Sequence, residues 1–137
     1  MHPILRNILA VIAGLVLGSV VNMGIIYLSP LVLPIPEGAD ISTPETIKAS
    51  IHLFEPRHYI MPFLAHALGT FVGALVAACI ATNNKMRLAM LTGAIFLIGG
   101  ISAVAMIPAP MWFNVTDLVC AYLPMAFIAG KIMGRKR

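Results

Sequence analysis

Among the polar side chains that interrupt the apolar stretches of this sequence are Asn22, His66, Ser102 and Asp117, one on each stretch. An aspartate and a histidine can share or pass a proton, and an asparagine or serine can orient either partner or hold a small ligand. Counted inward from the ends of their stretches at ~1.5 Å per residue, all four fall ~8–11 Å below one boundary. That agreement among antiparallel helices points to one common layer. Helical spacing puts Asn22 with Gly18 and Ser19, His66 with Gly69, Thr70 and Gly73, Ser102 with Gly99, and Asp117 with Asn114 and Ala121. Each polar group thus shares a face with small residues, the face expected to point at neighbouring helices. A carboxylate turned to hydrocarbon costs about 2.5–3.5 kcal/mol on insertion scales, so Asp117 requires a partner, and His66 is the expected one. The layer has two readings. In one it is a dry network that fixes helix register. In the other it lines a shallow cavity open to the outer side, where the pair exchanges protons or binds a small ligand.

The elements that position these residues follow from composition. The chain has 137 residues, 60% of them hydrophobic and 10% charged, and its mean hydropathy is +0.96. Soluble domains carry about 25% charge, so a water-soluble domain is excluded. The net charge of +4 sits at the chain ends and in short loops and not along one face, which excludes nucleic acid as a partner. Four apolar stretches are long enough to span a bilayer: 4–28, 59–81, 88–107 and 111–133. The expected fold is an all-α, integral membrane four-helix bundle forming one transmembrane domain.

Prolines punctuate the spans. Pro30, Pro34, Pro36, Pro44, Pro56, Pro108 and Pro110 fall in the gaps, where a missing N–H ends or starts helices. Pro62 lies in the first turn of the second span. Pro124 is mid-span, and it is expected to free the carbonyl of Cys120 and kink the fourth helix. In the loop 29–58, Thr43 reads as an N-cap, Pro44 as the first helical position and Glu45 as a first-turn acid. With Ile47, Ile51 and Phe54 at helical spacing, this predicts a short amphipathic helix over about 44–55, lying in the interface or capping the bundle. A shielding connector is the favoured role over a gate.

Basic residues set the expected orientation. Arg6, Lys85, Arg87, Lys131, Arg135, Lys136 and Arg137 fall on one side, and only Lys48 and Arg57 on the other. The positive-inside bias places both termini in the cytoplasm and the long loop outside. In that loop lie Glu37, Asp40, Glu45 and Glu55, four of the five acidic residues. The apolar run of the first span exceeds a secretory h-region and no cleavage site follows it, so it reads as a retained helix.

Lipid gives no hydrophobic drive between helices, so association needs close backbone approach. Gly14, Gly18, Gly69, Gly73, Gly99 and Gly130 are the expected packing positions, within rows of glycine and alanine on each span. Cys79 and Cys120 read as packing residues at an axial offset of ~15 Å, too far for a disulfide. His52 and His58 flank Glu55 without a metal-binding pattern and read as solvent or headgroup contacts; no metal or cofactor is implied.

The run from His52 through Glu55 and Arg57 to His58, continuing through Pro62, His66 and Thr70 to Gly73, resembles small bacterial four-span membrane proteins to which no activity is assigned. The resemblance implies a bacterial inner membrane location and a four-helix fold. It implies no functional residue. The first functional expectation is therefore a non-enzymatic accessory or scaffold subunit whose partners are the lipid bilayer and further copies of itself or other membrane subunits. The alternative is a small transporter or proton-coupled binding protein whose site is His66 and Asp117, with Asn22 and Asn114 as orienting groups. An enzyme acting on a lipid or quinone ranks third.

Overall fold

Pro3 stands at the first helical position, and the His2 ring accepts the N–H of Ile4 at 3.3 Å, so the chain enters helix almost at its start. In the computed structural model, which describes residues 1–135, this first helix, α1, runs over Pro3–Val32. It continues past Leu28 and contains Pro30, correcting the expectation that Pro30 ends the span. The proline removes only the hydrogen bond to the carbonyl of Ile26, and Leu33 still donates to the Ser29 carbonyl at 2.9 Å to close the last turn. Lys136 and Arg137, part of the basic closing segment, lie outside the described residues.

The long loop holds a short helix, α2 (Pro44–Ser50), followed by 3₁₀ turns at Ile51–Leu53 and Pro56–Tyr59. Thr43 caps α2: its hydroxyl accepts the N–H of Thr46, and the Thr46 hydroxyl accepts that of Thr43. Asp40 ties the loop back. Its N–H donates to Ser50 Oγ at 3.0 Å. Its carboxylate accepts the hydroxyl and N–H of Ser42 at 2.6 and 2.8 Å, which holds the carboxyl below its usual range.

Helix α3 (Ile60–Ile80) is the centre of the bundle and packs on α1, α4 (Lys85–Met106) and the last helix, α6 (Leu123–Arg135). The α1–α3 seam is the most extensive of these and is built on absent side chains. A Cβ on Gly14 would strike the carbonyl of Gly73, and one on Gly18 would come within 2.6 Å of the carbonyl of Gly69. The Phe96 ring fills the remaining space beside Gly18 and Gly73. On the other side of α3, Gly93 faces Ala126, and Gly130 receives Met86 and Ala89. Ala74, Ala78, Ala89, Ala126 and Ala129 form the alanine core between α3, α4 and α6. Gly99 is the exception among the expected packing glycines: it is exposed and faces open space, and its neighbour Gly100 carries the contact instead.

The fourth span is two helices. α5 (Met111–Cys120) ends, Ala121 and Tyr122 leave the helix, and α6 begins, so Pro124 sits in the first turn of α6. Ala121 still donates to the Asp117 carbonyl at 2.9 Å and Ala126 to that of Tyr122 at 2.9 Å, so each half closes its own turn around the break. Cys79 and Cys120 are both exposed, which corrects their assignment to packing: each lies on the outward face of its helix.

Where the start of α1 meets the α3–α4 turn, Arg6 Nε donates to the Ile80 carbonyl at 2.7 Å, Asn7 donates to Asn83 Oδ1 at 2.9 Å, and Thr82 N–H donates to Asn7 Oδ1 at 3.1 Å. Large apolar residues such as Ile8, Ile12, Val16 and Val20 cover the outer face of α1 and are half or more exposed. Four helical segments are long and apolar enough to cross a membrane. Helices apolar on their outward as well as inward faces belong in lipid. The chain is a small four-span membrane protein.

Candidate functional site

His66 lies on α3 two turns from its start, and Asp117 lies on α5 in the turn before the helix breaks. The bundle brings them together. His66 Nδ1 is 2.9 Å from each oxygen of the Asp117 carboxylate. Asp117 is 3% exposed, so its charge depends on these partners. A second donor completes the set: the Tyr122 hydroxyl donates to Asp117 Oδ2 at 3.1 Å.

Tyr122 reaches this position because of the break. Released from the helical path after Cys120, its ring stacks on His66 with centroids 5.8 Å apart and planes inclined by 27°. Gly100 on α4 makes room, since a Cβ there would overlap the tyrosine ring and hydroxyl. Sequence reasoning omitted Tyr122. The available signal was Pro124 two residues later, which marks where the chain must leave the helix and free a neighbouring side chain.

The orientation of the pair sets its chemistry. Two carboxylate oxygens face Nδ1, so a shared proton lies between the two groups. Nε2 has no hydrogen-bond partner among the described residues. His66 therefore presents an unpartnered ring nitrogen, backed by a buried acid, where the ring meets a cavity.

That cavity has a volume of about 310 Å³, at the low end of the range typical of small-ligand pockets. Its floor is His66 and Asp117. Its walls are the loop-side ends of α1 and α4, and its roof is Ile47, Ile51 and Phe54. The apolar stripe of α2 and the turn after it thus faces inward over the pair. Tyr59 and Phe113 line one side with ring centroids 4.8 Å apart, and Trp112 abuts Tyr59 at 5.6 Å. Tyr59 is 7% exposed, and its hydroxyl has no partner.

The other residues of the expected layer are not joined to the pair by hydrogen bonds. Asn114 lines the cavity but donates its amide to the Ala109 carbonyl at 3.2 Å. Asn22 packs against Gly69, one helical turn from His66. Ser102 is exposed and donates to the Ile98 carbonyl of its own helix at 3.0 Å, the usual recourse of a helical serine facing lipid. Thr70 is fully buried and its hydroxyl is unpartnered. His58 contributes to the cavity wall, and its Nδ1 accepts the N–H of Glu55 at 2.9 Å.

The chain matches no protein-family model, no curated protein and no solved structure.

Proposed function

We propose that this four-span membrane protein binds a small, largely apolar molecule in the cavity beneath α2, with the His66–Asp117 pair as the polar recognition point, as a binding protein or transporter and not an enzyme. One observation carries this reading: the cavity extends from the apolar face of the loop helix down to the only buried carboxylate among the described residues. A network that served helix register alone has no need of a cavity at its edge, and filling that space with side chains would strengthen packing. For that reason ligand binding takes precedence over the accessory-subunit expectation. In this reading the loop end faces the outside of a bacterial inner membrane and both termini face the cytoplasm, as the basic residues suggest. A ligand then enters from the outer leaflet or the outer water phase, and Nε2 of His66 accepts a proton or a hydrogen bond from it. The stacking of Tyr122 and the two carboxylate contacts hold the ring in place, which lowers the ordering cost of binding.

The protein as it leaves its own membrane provides the test. In native mass spectrometry the wild type is expected to carry a small-molecule mass. Ala103→Trp, which fills the cavity from α4, is expected to lose that mass with its thermal stability unchanged. The same mass on both forms would place the ligand elsewhere, and its absence from both would leave the pair with a structural role.

A further inference from the structure

We infer that the ligand class of this cavity is an organic ammonium ion with an apolar body, an inference that rests on the binding reading above and specifies its chemistry. The charged lining of the cavity is acidic and not basic. Among the described residues neither lysine nor arginine lines it, and its only carboxylate is Asp117. The Asp117 carboxylate, 2.9 Å from His66 Nδ1, places this one acidic group at the cavity floor. Pro30 has no N–H, so the Ile26 carbonyl beside the cavity lacks its helical partner and adds partial negative charge.

The aromatic wall agrees with this charge. Tyr59 and Phe113 both line this space, and an ammonium group within about 6 Å of an aromatic face is attracted to it, most strongly where water is excluded. The entrance is biased the same way. The loop over the cavity carries four carboxylates against two basic side chains, and one of those two, Arg57, is already paired with Glu55 at 3.0 Å. A cation is therefore drawn toward the roof and stabilised at the floor, whereas an anion meets like charge at both. The aliphatic walls take up the body of the molecule.

Trp112 is the only tryptophan of the chain, and it touches Tyr59 at the cavity wall, so its emission reports occupancy. The experiment uses the full chain in phosphatidylcholine nanodiscs, titrated with four probes that share one phenylalkyl body. They end in a primary ammonium, a trimethylammonium, an alcohol or a carboxylate. The expected result is saturable binding of both ammonium probes about tenfold or more tighter than the alcohol, and no saturation with the carboxylate. Asp117→Asn should bring the ammonium probes to the affinity that the alcohol shows. The wild-type series decides the question even if that variant does not fold. An alcohol or carboxylate that binds as tightly as the ammonium probes would overturn the cation assignment and leave the binding reading in place. If no probe gives a saturable change, the binding reading falls and the cation assignment with it.

Discussion

Asp117 is the residue whose environment decides the rest. A carboxylate that is 3% exposed inside an apolar bundle is tolerable only while His66 and Tyr122 complete its hydrogen bonds. Removing one partner of such a buried pair typically costs about 3–5 kcal/mol, because the remaining charge is stranded. His66→Ala is therefore expected to lower thermal stability by an amount of that order. Asp117→Asn keeps the shape, removes the charge and should cost less than half as much. Unfolding curves of both variants in the same nanodisc give the comparison, and equal losses would mean that the carboxylate is not sustained by the histidine. The depth count along the spans made the His66–Asp117 encounter legible, because a buried acid in lipid must find a base at its own level. Asn22 and Ser102 were at the right depth and remain unjoined to the pair. Depth is fixed by position along a helix, whereas contact also depends on how each helix is rotated, and serine can satisfy itself on its own backbone. Tyr122 was not legible at all, since its role arises from a break in the chain that periodicity does not report.

At the scale of elements, the bundle depends on backbone approach more than on side-chain volume. The α1–α3 seam permits no Cβ at Gly18, which would sit 2.6 Å from the Gly69 carbonyl, whereas Gly99 faces open space. Gly18→Ala should then cost roughly 1–3 kcal/mol through forced separation of the helices, and Gly99→Ala should stay within about 0.5 kcal/mol or gain slightly from helix propensity. Thermal unfolding of the two alanine variants checks this, and a seam that accepts Gly18→Ala without loss would show that α1 is not held by close approach. Glycine and alanine rows were readable in the sequence, but Gly99 and Gly100 are adjacent and only packing distinguishes them. The loop helix was also expected from its cap and apolar spacing. That its stripe covers a cavity, and does not rest only on lipid, depends on the α1 extension through Pro30, which local proline rules argue against. The Arg6 and Asn7 bonds to the α3–α4 turn have the same origin, for they join residues more than seventy positions apart.

For the whole molecule, four spans hold an alanine core and a pocket beside Arg6 and Thr82 toward one end, and the roofed cavity at the loop end. The central claim is that solvent or ligand reaches the His66–Asp117 floor through that end. Ala103 lines the cavity, whereas Ala126 is fully buried in the core. With Cys79 and Cys120 replaced by alanine, a single cysteine at either position can be offered a membrane-impermeant maleimide from the loop side. The account predicts that Ala103→Cys is labelled many times faster than Ala126→Cys, and more slowly again once a bound ammonium probe fills the cavity. Labelling of Ala103→Cys no faster than that of Ala126→Cys would contradict it.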